Sequence, residues 1–182
     1  MGKRISDKME KVLNEQMMRE ALQAQVYLAY GSWAEVNGFP GVASFLYKHS
    51  TEERDHMFKI LKYINDRGGK AEITSIDAPK ADLKDIGDCL RQTLQHEIDN
   101  SASIDEIVNL AMEEKDWATF NFGQWFVQEQ IEEETLIKDM LDKYGLATEE
   151  IEENANLYRL DADMAVVSQE ATLPREESLK EE

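Results

Sequence analysis

Cysteine is almost missing from this chain of 182 residues: Cys89 stands alone. No internal disulfide can form, and neither a cysteine-based zinc site nor a rubredoxin-like cysteine cluster can be built. A reducing cytoplasm is the expected setting. Long apolar runs are missing too. Nothing approaches the roughly 20 residues that span a bilayer. The start, Met1-Gly2-Lys3-Arg4-Ile5-Ser6, carries no apolar segment of the signal-peptide kind. It matches the short acylation pattern Met-Gly-x-x-x-Ser, a match read as chance. Basic charge is scarce beside acid: 20 Lys and Arg face 38 Asp and Glu, for a net charge of −18 and a sequence pI near 4.5. Nucleic acid and anionic membranes want basic surfaces, so neither is expected as a partner. The excess of acid fits solubility or the attraction of cations.

Apolar side chains are not in short supply. They make up 42% of the chain, with three Trp, six Tyr and six Phe, so a disordered acidic polymer is excluded. The length suits one domain with a sizeable core. Residues 1–168 read as that domain, and residues 169–182 as an acidic, mobile tail. No second domain, internal repeat or low-complexity block is visible.

No Pro or Gly falls between Lys3 and Tyr30. Val12, Leu13, Met17, Leu22, Val26 and Leu28 recur there at helical spacings, which predicts a helix from about Asp7 to Val36 capped by Ser6 or Asp7. Asn37-Gly38-Phe39-Pro40-Gly41 is a turn, so a second helix, about Val42 to Arg67, runs back antiparallel to a stop at Gly68-Gly69. From Lys70 to about Asp82 no helical pattern appears. About 13 extended residues reach roughly 43 Å, and a helix of about 28 residues is roughly 42 Å long. The segment can therefore travel the length of a bundle and deliver a third helix, about Leu83 to Met112, parallel to the second. A fourth, about Trp117 to Tyr144, follows a polar turn in which Asp116 can serve as cap, and it stops at Gly145. A shorter fifth is expected from Thr148. The fold class is all-α: a four-helix bundle with one long crossover and a short fifth helix.

Each of the four long helices carries a polar residue in an otherwise apolar stripe. Leu13, Glu20 and Tyr27 are spaced by sevens, as are Leu90, Glu97, Ile104 and Ala111. Glu53 and His56 stand at i and i+3 in the second helix, Gln130 and Glu133 in the fourth. Glu-x-x-His is common by chance in an acidic helical chain and carries weight only with company. All of these residues lie near the middle of their helices, and in a bundle mid-helix positions meet in one layer. Buried carboxylates are costly unless paired or bound to metal. A di-metal site of Glu from two helices and Glu-x-x-His from the others is a known use of such a bundle. One iron is expected on Glu20, Glu53 and His56. A second falls between Glu53, as bridge, and Glu97, with Gln130 nearby and Glu133 in reach. Glu52, Glu129, Glu132 and Glu133 share a face beside the Gln130 stripe, which reads either as a third, all-oxygen iron site or as a solvated acidic surface. Tyr27 either serves a ligand or is a satisfied core tyrosine. Trp125 is read as core packing, Cys89 as a small core residue, and His49 and His96 as surface residues or neighbours of the ligands.

The runs Asn14-Glu15-Gln16-Met17, Glu52-Glu53-Arg54-Asp55-His56-Met57, Thr119-Phe120-Asn121-Phe122, Gln124-Trp125-Phe126-Val127 and Glu129-Gln130-Ile131-Glu132-Glu133-Glu134 resemble a bacterial non-haem ferritin. The likeness covers roughly residues 5–146. It implies a ferritin-like bundle, a hollow homo-24-mer, and ferroxidase chemistry on Fe(II) with dioxygen or peroxide, with Fe(III) stored as mineral. It assigns Glu20, Glu53, His56, Glu97 and Gln130 to the dinuclear centre, and Glu52, Glu129, Glu132 and Glu133 to the extra site of prokaryotic members. Bacterioferritins keep Glu-x-x-His on the fourth helix and place a haem-ligating Met directly after the second-helix Glu. Here those places hold Gln130-x-x-Glu133 and Arg54, so no haem is expected, although Met57 is close. Animal-type channel acids have no match in Phe120 to Gly123. Two other readings stay open: a stand-alone di-iron oxidase or peroxidase, and a bundle with no metal at all.

Overall fold

The computed structural model describes residues 2–148 and 153–170. Five helices are present: α1 (Asp7–Val36), α2 (Pro40–Asp66), α3 (Ile86–Glu114), α4 (Trp117–Thr148) and α5 (Glu153–Glu170). Among the described residues there is no strand.

Local chemistry sets the boundaries. The Ser6 hydroxyl accepts from the Met9 amide at 2.9 Å and opens α1. Gly38 takes a left-handed φ of 85° in the turn that follows. Pro40 sits in the first turn of α2, where its missing amide costs nothing, so this helix begins two residues before the expected Val42. Phe39, at the cap position, offers no side-chain acceptor. Asp161 of α5 supplies one instead, taking the Val42 amide at 2.9 Å. Asp85 caps α3 by accepting from the Asp88 amide at 2.7 Å, which moves the start from the expected Leu83 to Ile86. Asp116 accepts from the Thr119 amide at 3.2 Å and its hydroxyl at 2.6 Å, as the cap of α4 should. Helix α4 runs through Gly145 to Thr148. Thr148 is therefore an end, not a beginning: its hydroxyl donates back to the Tyr144 carbonyl at 3.0 Å. Of the expected tail, 169–170 belong to α5, and 171–182 lie outside the described residues.

The contacts fix the directions. Ser50 donates to the Ala24 carbonyl and Tyr47 to Glu35, so α1 and α2 are antiparallel. Gln16 meets Asn100 and Tyr30 meets Gln92, so α3 is antiparallel to α1 and parallel to α2. The crossover begins against α1, where the Glu72 amide donates to Asn14 at 2.7 Å. It ends at Leu83, which packs with Tyr27, Tyr30 and Leu90 near the other end. The single long crossover is thus present.

The core is split. One apolar cluster includes Met9, Leu13, Met17, Ile60, Ile64, Ile104 and Phe126. The other includes Tyr27, Tyr30, Phe45, Leu46, Leu90, Ile137 and Met140. Between them lies a layer of buried polar side chains, among them Gln16, Glu20, Gln23, Glu53, His56, Glu97, Asn100, Gln130 and Glu133. Leu22 and Leu28 belong to neither cluster. They recur at helical spacings with Leu13 and Val26, but they turn outward at 37% and 47% exposure. The α1 face toward the bundle is narrower than its leucines suggest, because Gln16, Glu20 and Gln23 occupy part of it.

Candidate metal centre

Glu20 from α1 and Glu53 and His56 from α2 bring one ligand atom each within 4.8 Å of one another, and all three residues are buried. His56 Nδ1 lies 3.3 Å from Glu53 Oε2 and 3.9 Å from Glu20 Oε2. None of these three atoms has a hydrogen-bond partner. An orphaned buried acceptor costs about 1–3 kcal/mol, and more when charged. Three converging orphans make a candidate place for a cation. Carboxylate oxygen and imidazole nitrogen together are a donor set that suits iron.

The charges agree with the geometry. Burial, then the negative charges of Glu20 and Glu97, push the Glu53 carboxyl well above the usual carboxylate range. Glu97 is pushed up to about 7, mainly by burial and then by Glu133, against hydrogen bonds from Tyr27 and Gln130 that hold it down. Without a cation the layer keeps protons it would otherwise lose.

Glu97 faces this triad from α3. Tyr27 donates its hydroxyl hydrogen to Glu97 Oε1 and accepts from Gln23 Nε2 at 2.8 Å. Gln23 also reaches Glu97 Oε1 at 2.8 Å. Gln130 Nε2 donates to Glu97 Oε2 at 2.9 Å. Tyr27 thus serves a candidate ligand and is satisfied in the same contact. Trp125 packs edge-on against His56, ring centres 5.3 Å apart, with Lys59 Nζ 3.9 Å from the centre of its ring.

A second group lies one turn away: His49, Glu52 and Glu133. His49 Nε2 is 2.8 Å from Glu133 Oε2, and its Nδ1 is 3.7 Å from Glu52 Oε2. Burial alone would lower the His49 pKa, but the Glu133 charge and hydrogen bond, with Glu52, lift it to about 9. Of the four acids proposed from sequence for a third site, Glu52 and Glu133 are in this group. Glu129 is buried outside it, and Glu132 is exposed and accepts from Gln128 at 3.2 Å. Sequence reasoning placed His49 at the surface or beside the ligands; it is buried against Glu133, seven residues before His56 and three before Glu52. Gln16, Gln23 and Asn100 were passed over. Gln16 and Gln23 flank Glu20 at helical spacings, and Asn100 follows Glu97 at i+3. His96 is half-buried, its pKa lowered by burial, and Cys89 is buried with its thiol pushed up to about 12.

Four long helices with a crossover, closing around a layer of buried carboxylates, amides and two histidines, define a four-helix bundle with a candidate metal site in its core. Residues 10–147 match the family model described as a ferritin-like domain. A probable bacterial non-heme ferritin-like protein of Haemophilus influenzae is 37% identical over 92% of this chain and 99% of its own. A bacterial non-heme ferritin of Escherichia coli is 35% identical over 85% of this chain and 92% of its own. The structure of an open-pore ferritin from the archaeon Archaeoglobus fulgidus superposes with a TM-score of 0.85 and 32% identity, covering 88% of this chain and 98% of that one. The chain belongs to the ferritin family.

Proposed function

We propose that this chain is an iron-storage ferritin with a working ferroxidase centre. Glu20, Glu53 and His56 hold one Fe(II), and Glu53 and Glu97 hold the second beside Gln130. Each Fe(II) gives one electron to dioxygen or peroxide. The product Fe(III) passes to the interior of a shell of 24 copies and is stored as ferric mineral. The observation that carries this is the convergence of three buried ligand atoms, Glu20 Oε2, Glu53 Oε2 and His56 Nδ1, with no hydrogen-bond partner of their own.

The protein's part is to position and to neutralise. Two metal dications offset the charge of the three acids, and Tyr27 and Gln23 keep the Glu97 carboxylate pointing inward. Iron leaving the centre meets Glu133 and Glu52 next, with His49 alongside. Glu129 and Glu132, the other two acids of the third site expected from sequence, lie outside that group. Similarity to bacterial non-heme ferritins, that of Escherichia coli among them, supports a ferritin that works without haem.

Anaerobic titration with Fe(II), followed by air, tests the proposal. About two Fe(II) per chain should bind and oxidise rapidly in the first addition. A bundle that shows no stoichiometric oxidation contradicts it.

A further inference from the structure

The buried amides below the metal layer form an ordered chain. Gln16 Nε2 donates to Glu20 Oε1 at 2.5 Å and to Asn100 Oδ1 at 2.6 Å. Asn100 Nδ2 then faces Glu20 Oε1 and Gln130 Oε1, both at 3.4 Å. Gln130 Nε2 donates onward to Glu97 Oε2 at 2.9 Å and to the Glu97 carbonyl at 3.3 Å. Gln16, Asn100 and Gln130 are all buried, so water cannot substitute for a wrong partner.

Each link fixes the next. A carboxylate that holds a metal only accepts, so Glu20 takes the Gln16 nitrogen. That nitrogen requires the Asn100 oxygen. The Asn100 nitrogen is left for the Gln130 oxygen, and the Gln130 nitrogen is left for Glu97. A ligand of the first metal position thus sets the amide orientation at the second. Metals bind the oxygen of a carboxamide, not its NH2 group. Rotating Gln130 to offer its oxygen would set its NH2 group against that of Asn100 and remove the donation to Glu97.

We propose that Asn100, set by Gln16, is a positioning residue of the di-iron centre that holds the Gln130 carbonyl away from the second metal position and keeps that position weak. A weak second position suits iron that must move on after oxidation. The inference rests on the di-iron reading above.

Anaerobic titration of the full-length protein with Co(II), followed by its visible absorption, tests it with a metal that is not turned over. The wild type should show one tight and one weak class. In Asn100→Leu, which keeps the number and branching of the side-chain heavy atoms and removes both polar groups, the weak class should tighten about tenfold. In a Gln130→Ala background the same substitution should leave the weak class within about twofold, since the effect runs through Gln130. Should Asn100→Leu fail to fold, Gln16→Met breaks the chain one link earlier and should tighten the weak class likewise. An unchanged or weakened second class, or an equal shift with Gln130→Ala, overturns the inference while leaving the centre intact. A wild-type chain that binds no Co(II) overturns the di-iron reading and this inference together.

Discussion

In the proposed centre, Glu53 is the side chain on which both metal positions depend. It lies against His56, and its pKa is raised first by burial and then by the charges of Glu20 and Glu97. Even residues behind a metal ligand change affinity by about 10–100-fold when removed, so losing the bridge should cost more. Glu53→Ala is predicted to slow the first-addition Fe(II) oxidation by at least about 100-fold in stopped-flow absorbance. A wild-type rate would reject the ligand assignment. The same crowding sets the pH response of the metal-free protein. Glu97 titrates at about 7 when folded, against about 4.3 for an ordinary Glu. Between those values the folded chain holds more protons than the unfolded one, so stability falls as pH rises through this window. His49, lifted to about 9, adds stability that is complete below about 6.5 and is lost as pH rises through 9. Both groups act in the same direction. Thermal unfolding of metal-stripped protein should therefore show a melting temperature that drops from pH 6 to pH 9. Added Zn(II) should flatten or reverse that trend, because the cation replaces the protons. At this scale the candidate ligands that meet in the buried layer were legible because an acid in an apolar heptad row is conspicuous. The amides were not, because Gln16 and Asn100 carry no charge to mark them as anomalous inside.

The helices show a different division. Existence and order followed from apolar periodicity, and the crossover from its reach. The ends followed from single hydrogen bonds that sequence leaves ambiguous, such as Asp85 to Asp88 rather than a start at Leu83. One cap comes from the far end of the chain and could not have been read locally. Asp161 on α5 closes the N-terminus of α2, and the backbones meet so tightly that a Cβ on Gly41 would sit 1.8 Å from the Asp161 carbonyl oxygen. Asp161→Ala should cost about 1 kcal/mol, the usual loss for a helix cap. Gly41→Ala should go further and push α5 off the bundle. Limited proteolysis is expected to cut Gly41→Ala within 153–170 while the wild type resists. Because the metal layer lies on α1 to α4, its initial Fe(II) oxidation rate should stay within about twofold.

The whole molecule presents two faces of one composition. The chain carries a net charge of −18, and no helix among the described residues is long and apolar enough to cross a membrane. Yet Leu22 and Leu28 on α1, with Ile73 and Ile76 on the crossover, are exposed in the single chain. The proposed shell gives them a use as contacts between copies. Gel filtration should find a particle of about 500 kDa, twenty-four times the 20.9 kDa chain. Leu22→Glu with Leu28→Glu should shift it toward small species, since buried like charges oppose association. A monomer or dimer from the wild-type chain would leave a stand-alone di-iron enzyme as the better account. Sequence periodicity cannot separate leucines facing the core from leucines facing another copy, because both lie on apolar stripes.

The most direct measurement is anomalous scattering at the iron edge from crystals soaked anaerobically in Fe(II). Two peaks per chain are predicted, one among Glu20, Glu53 and His56 and one between Glu53 and Glu97, the first stronger than the second. No anomalous density among Glu20, Glu53 and His56, with iron only on the outer acidic surface, would contradict the account.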